Sequence, residues 1–87
     1  DLIHIIRYYQ YKKAMIFCNT KYQTASLCRQ LNEYGLPSDC IHGDMVQSAR
    51  NQVMQKFRAG AVDYLVVTDV AARGIDVENI EAVFNFD

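Results

Sequence analysis

A parallel β-sheet with helices on both faces is the fold class that this 87-residue chain predicts. Two observations lead there. Short apolar runs such as "AMIFC" (14–18) and "YLVVT" (64–68) are too brief for helices and suit strands covered on both faces. Between such runs lie stretches with apolar residues at helical spacing, opened by capping residues and closed by glycine. Strands that alternate with helices of this length join through right-handed crossovers, and therefore pair in parallel.

Each element follows in order. Leu2, Ile5, Ile6 and Tyr9 keep the i, i+3, i+4, i+7 spacing of a first helix face. After "AMIFC", Thr20 and Gln23 make a capping-box pair, and Leu27, Cys28, Leu31 and Tyr34 form the apolar stripe of the helix it opens. Gly35 and then Pro37 stop that helix. "SDCIH" (38–42) reads as a weak second strand. Asp44 and Gln47 repeat the capping spacing before a helix with Ala49, Val53, Met54 and Phe57 on its apolar face and Gly60 at its end. "YLVVT" is the strongest strand and "AVFNF" (82–86) the last. No repeat or linker divides the chain, so residues 1–87 are read as one domain.

Composition narrows the function. A chain that is 51% hydrophobic at this length buries one modest core, and its stability is expected to be marginal. A net charge of −1 excludes a strongly basic nucleic-acid tail, but nine Lys and Arg are enough for a local basic site. No run approaches the roughly 18 apolar residues of a membrane span, and no signal-peptide pattern opens the chain. No membrane association is expected, and an intracellular location is: cytoplasmic, with the nucleus as the alternative. Cys18, Cys28 and Cys40 are odd in number and lie in no C-x-x-C or zinc spacing, so reduced thiols and no metal site are expected.

In a parallel sheet the ligand site lies at the carboxyl ends of the strands. There stand Asn19 and Thr20, then His42, Gly43 and Asp44, then Thr68 and Asp69, and after the last strand Asp87. In "HGDMVQSAR" (42–50), Gly43 allows a close backbone approach or a positive φ. The helix start that follows is a natural phosphate seat, and Gln47 and Arg50, three apart, share its side. An ordinary capped helix with a solvated arginine fits the spacing equally well. In "TDVAARGID" (68–76), Thr68 offers a hydroxyl, residues 70–72 suit a tight turn and Gly74 relieves it. Asp69 and Asp76 are placed to bond ribose hydroxyls, to cap backbone donors or to pair with Arg73. His42 has no nucleophile or metal-spaced partner, so a structural or capping role is expected for it. Lys12 and Lys13 read as solvated, and the six tyrosines as scattered rather than as a base-stacking platform. No catalytic residue is expected in this chain.

The residues also carry a resemblance. "IFCNT" (16–20), "HGDMVQSAR" and "VVTDVAARGIDV" (66–77) resemble, in fixed order, motif IV, the Q-x-x-R element and motif V of the second RecA-like domain of DEAD-box RNA helicases. "AVFNFD" resembles the strand that follows, so the likeness spans nearly the whole chain. It implies a three-layer α/β/α RecA-like fold of the P-loop NTPase kind. It further implies an RNA-binding set of Thr20, Gly43, Gln47, Arg50 and Thr68, holding RNA phosphates without reading sequence. Gly74 and Asp76 are implied to meet the ATP ribose, and Asp69 and Arg73 to organise motif V between the nucleotide and RNA sites.

Departures from the family pattern are equally informative. The chain has no G-x-x-x-x-G-K-[ST] phosphate loop and no D-E-A-D. It stops at Asp87, ahead of the family's arginine-finger motif. The resemblance thus implies a C-terminally incomplete domain that would use ATP and Mg²⁺ only together with a first RecA-like domain, which would hold the Mg²⁺. An uncovered sheet edge, open to association, is expected where strands are missing. The function expected is that of part of an ATP-dependent RNA helicase, inactive alone. The other readings are a non-enzymatic RNA- or protein-binding module on the same fold, or a related DNA helicase, against which "QSAR" and "TDVAARGID" argue.

Overall fold

The computed structural model describes residues 1–73, 75 and 80–86. Its elements run α1 (Leu2–Tyr9), β1 (Ala14–Cys18), α2 (Lys21–Glu33), β2 (Ser38–Ile41), α3 (Gln47–Ala59), β3 (Tyr64–Thr68), α4 (Asp69–Ala72) and β4 (Ala82–Phe86). The four strands form one sheet in the order β2-β3-β1-β4. Every pairing is parallel, with Ala14 opposite both Tyr64 and Ala82, and Ser38 opposite Tyr64.

Strand alternation sorts the core into two layers. Ala14, Ile16 and Cys18 of β1 and Tyr64 and Val66 of β3 face Ile6 of α1 and Leu27 and Leu31 of α2. Met15, Leu65, Val67 and Ile41 point the other way, onto Val53, Met54 and Phe57 of α3 and Ala71 of α4. Ile16, Leu65, Val66 and Val67 are completely shielded from solvent. That is why these strands read as unbroken apolar runs: both faces are covered.

Local chemistry sets the helix boundaries. The Thr20 hydroxyl accepts the Gln23 N–H at 3.1 Å, while the Gln23 side chain reaches back to the Asn19 N–H at 2.9 Å. The capping pair is therefore present, displaced by one residue on its return bond. Gly35, at φ +77°, closes α2: Leu36 N–H reaches Leu31 C=O at 2.9 Å and Gly35 N–H reaches Asn32 C=O at 3.0 Å. This pair of bonds is the Schellman pattern, and Leu36 packs into the same core layer as Leu31. Gly60, at φ +84°, does the same for α3.

Several expectations are corrected. The buried side of α1 is Ile6 with Leu2 and Ile3 half-buried, whereas Ile5 and Tyr9 are exposed. Over only eight residues the helix is oriented by where it meets the sheet, and that contact rotates the stripe by one position. Tyr34, expected on the stripe of α2, is exposed, and the fully buried Thr24 takes a core place by donating its hydroxyl to Lys21 C=O at 2.6 Å. Asp44 does not cap α3, whose first residue is Gln47 and whose N-cap, Val46, makes no side-chain cap bond. The turn expected at residues 70–72 is a single helical turn, capped by the Thr68 hydroxyl accepting from Ala71 N–H at 3.4 Å. Lys13 is half-buried, donating to Arg58 C=O at 3.1 Å with its ammonium 5.6 Å from the Phe57 ring centre. Tyr8, Tyr9 and Tyr11 are not scattered: each ring contacts the next, and Tyr11 meets Phe84 at 5.8 Å. That series lies toward the amino ends of the strands.

β4 ends the sheet on one side. Phe84 and Phe86 face the α1/α2 layer, while on the opposite side Val83 is 59% exposed. No helix among the described residues is long and apolar enough to cross a membrane.

Candidate functional site

The strand order decides which residues meet. At the carboxyl edge, the loops after β2, β3 and β1 lie side by side, so His42–Gly43–Asp44, Thr68–Asp69 and Asn19–Thr20 form one row with Thr68 in its middle. Thr68 is paired with Cys18 in register, and Ile41 with Val67, so Thr20 and Gly43 each follow two residues beyond the strand ends on either side of β3. The expected RNA-binding residues on these three loops are thus brought together.

The Gly43 backbone is not in the left-handed region, which removes one of the two reasons expected for a glycine there. A Cβ built at Gly43 meets nothing within 4 Å, so no contact inside this chain calls for glycine there and the backbone faces open space. Beyond it, α3 begins without a side-chain cap. The first intrahelical donor bond is Arg50 N–H to Val46 C=O at 3.1 Å, which leaves the preceding amides of the first turn facing outward. Uncapped amides at a helix start favour an anion.

Arg50 is the most informative side chain. One of its terminal nitrogens donates to His42 C=O at 3.3 Å, which anchors the guanidinium against the β2–α3 loop. Its Nε is buried with no hydrogen-bond partner. A buried cationic N–H left unpaired costs on the order of 1–3 kcal/mol, a cost that an oxygen of water or of a ligand reaching it would relieve. Gln47, exposed, donates to Asn51 at 3.0 Å on the same helix side.

A cleft of about 330 Å³ opens beside Arg50, lined by Ile41, Gln47, Asn51, Met54, Arg58, Ala71, Arg73 and Ile75. Three arginines therefore share one concavity. Arg73 enters from the end of α4, so the short helix has the effect of carrying motif V side chains toward the Q-x-x-R helix. Asp69 and Arg73 do not pair with each other among the described residues: Asp69 sits exposed in the first turn of α4 and does not line the cleft. Gly74 and Asp76, expected at the ATP ribose, lie outside the described residues.

His42 behaves as expected of a structural residue, its Nδ1 accepting from Asp44 N–H at 3.3 Å. Thr68 spends one lone pair on the Ala71 amide, so its hydroxyl hydrogen remains available to an outside acceptor.

Two cations escaped sequence reasoning. Lys21 forms an ion pair with Asp44, tying the β1–α2 loop to the β2–α3 loop across the row, and its ammonium holds the Asp44 carboxyl below the usual range. Its position next to Thr20 was the available signal. Arg58 lies two turns along α3 from Arg50, at a spacing of eight that keeps it on the same side. A larger concavity, about 580 Å³, is lined by Asp1, Ile3, His4, Arg7, Tyr8 and Tyr34, away from the strand ends. It has no uncapped helix start and no glycine.

The chain has counterparts among known proteins. The profile of the helicase conserved C-terminal domain matches residues 1–87. The chain belongs to that family. Its high-identity relatives there are DEAD-box RNA helicases. The chain is 52% identical over 73 residues, 84% of its length, to the ATP-dependent RNA helicase DbpA of Bacillus subtilis strain 168. It is 39% identical over its full 87 residues to eukaryotic initiation factor 4A of Caenorhabditis elegans. Among solved structures, the Escherichia coli DEAD-box protein SrmB, bound to regulator of ribonuclease activity A, superposes with a TM-score of 0.92 at 36% identity over 99% of this chain. The three-layer RecA-like architecture of a DEAD-box C-terminal domain is thereby established. The chain spans 15% and 21% of those two relatives' lengths and 51% of the SrmB chain.

Proposed function

We propose that this chain is part of the second RecA-like domain of an ATP-dependent RNA helicase, and that its strand-end edge holds the RNA backbone. The observation that carries the reading is the Arg50 guanidinium: anchored on His42, with a buried unpaired Nε, beside an uncapped helix start and in a cleft with Arg58 and Arg73. Guanidinium and amide donors suit phosphate oxygens and do not distinguish bases. Thr20, Gly43 and Thr68 supply further hydroxyl and backbone donors along the strand-end row, and Gln47 an amide at the start of α3.

ATP would be shared with a first RecA-like domain, which supplies the phosphate loop and the Mg²⁺ carboxylates that this sequence does not contain. Gly74 and Asp76 are assigned to the ribose, and Asp69 and Arg73 to coupling between that site and the RNA row. The open side of β4, with Val83 exposed, is an uncovered sheet edge suited to association. An intracellular, cytoplasmic setting belongs to the same proposal.

The test is Arg50→Ala in the full-length protein, with RNA affinity measured across a range of salt. Binding should weaken about equally for unrelated single-stranded sequences. The slope of log K against log salt should fall by roughly 0.7, the contribution of one single-strand phosphate contact. An unchanged slope would mean that Arg50 serves the fold of the β2–α3 loop and nothing more. The alternative of a non-enzymatic binding module gains support if the full-length protein binds RNA with this slope but never hydrolyses ATP.

A further inference from the structure

We propose that Cys28, Cys40 and Asp39 form a binding site for a thiophilic divalent ion, Zn²⁺, which clamps helix α2 to the edge strand β2. The ligand atoms of these three side chains lie within 4.8 Å of one another, although their spacing in sequence matches no zinc motif. The fold creates the cluster. Cys28 lies on the half-buried side of α2, and Cys40 points from β2 toward that same helix layer. Asp39 belongs to the opposite face of the strand, but β2 ends the sheet, so its carboxylate curls around the open edge and accepts the Cys40 N–H at 2.9 Å.

Two sulfurs and one carboxylate oxygen are a donor set that suits Zn²⁺, which takes sulfur at about 2.3 Å and oxygen at about 2.0–2.2 Å in a tetrahedron. Those bonds put two sulfurs about 3.7 Å apart, so a contraction of no more than roughly an ångström completes the site. Both cysteines are half-buried, so a water can take the fourth position. The surroundings already orient the ligands: Asn32 Nδ2 donates to Cys28 Sγ at 3.6 Å, and Asn32 is itself fixed by Ser38, through N–H at 2.9 Å and C=O at 3.1 Å. Lys56 stands 3.9 Å from Asp39 Oδ2 and opposes a cation. Two thiolates and a carboxylate balance Zn²⁺ together with that ammonium, so the filled site is neutral. Binding replaces the two thiol protons, which leave to solvent, and involves no change of oxidation state.

The site stands apart from the arginine cleft, so its test is independent of the RNA reading. Full-length protein, reduced and freed of metal by chelation, is titrated with Co²⁺ as the optical probe. The wild type should develop a sulfur-to-cobalt charge-transfer band that an equimolar addition of Zn²⁺ removes. Cys28→Ser and Cys40→Ser should each lose that band, Asp39→Asn should keep it with weaker binding, and Cys18→Ser should leave it unchanged. A band of equal intensity in Cys28→Ser and Cys40→Ser, or none in the wild type, overturns the proposal. A measurement without variants guards against misfolding. Alkylation of Cys28 and Cys40 in the wild type, followed by mass spectrometry, should slow sharply with Zn²⁺ present and not with Mg²⁺. Equal rates with and without Zn²⁺, or a Cys28–Cys40 disulfide forming in air at the same rate with Zn²⁺ present, would likewise sink it.

Discussion

At the scale of single residues, the strand-end edge is built from side chains with two commitments each. Thr68 caps a helical turn with one lone pair and leaves its hydroxyl hydrogen uncommitted; Arg50 holds a loop carbonyl with one nitrogen and leaves another unpaired. The Lys21–Asp44 pair is exposed, so its worth to stability is small, but its effect on titration is readable. Because Lys21 depresses the Asp44 pKa, the pair's contribution is present above the ordinary aspartate value and is lost as pH falls through the depressed one. Lys21→Met should therefore shift the Asp44 carboxyl resonance titration upward, toward an ordinary aspartate. A titration midpoint that does not move would show that the ammonium does not sit there in solution.

At the scale of elements, termini and strand registers hold the edge in place. Gly60 sits at φ +84° with open space where a Cβ would go, so Gly60→Ala meets strain and no clash. We expect a loss of about 1 kcal/mol in urea unfolding, the usual cost of a left-handed non-glycine residue. No loss would mean that the α3 terminus adjusts freely. Tyr64 joins β3 to the α1–β1 loop, its hydroxyl donating to Tyr11 C=O. Burial, helped by Asp63 and Glu81, raises its pKa, so the neutral phenol is favoured in the fold. The resulting stability is complete below the ordinary value near 10 and is lost as pH rises through the raised one. Tyr64→Phe should cost about 1 kcal/mol at neutral pH and should abolish this alkaline loss. An alkaline loss of equal size in Tyr64→Phe would assign it to another group.

At the scale of the whole molecule, one sheet and two thin layers of core carry everything. Phe57 is fully buried at the centre of the α3 layer. Phe57→Ala should cost about 3–5 kcal/mol, a large part of the roughly 5–15 kcal/mol that keeps a typical domain folded. Its urea midpoint should fall far below that of the wild type; a shift no larger than that of Gly60→Ala would mean the α3 layer is not the core. On the proposed reading the chain is also one part of a two-domain motor. The 87 residues alone should hydrolyse no ATP with or without RNA, since the sequence holds no phosphate loop. Turnover that stays with the purified chain through gel filtration would overturn this.

What the sequence determined by itself was whatever depends on neighbours along the chain. All four strands stand within a residue of where the short runs placed them: β1 and β3 because a strand buried on both faces must be apolar throughout, and the edge strands β2 and β4 because turn and cap residues bound them. Gly35 and Gly60 mark helix ends because only the backbone decides there. The DEAD-box motifs were legible for the same reason: Q-x-x-R is one helical turn, and motif V opens on one strand and the helical turn that directly follows it. Tertiary structure decided the rest. The order β2-β3-β1-β4 sets Thr68 between Gly43 and Thr20, and no local pattern contains that order. The orientation of α1, the pairing of Lys21 with Asp44 instead of a cap, and the entry of Arg73 into the cleft of Arg50 and Arg58 depend on which surfaces the folded sheet brings face to face. Cys28 and Cys40 show it most clearly. Twelve residues apart and on different elements, they become neighbours because an edge strand and the helix before it bury the same layer.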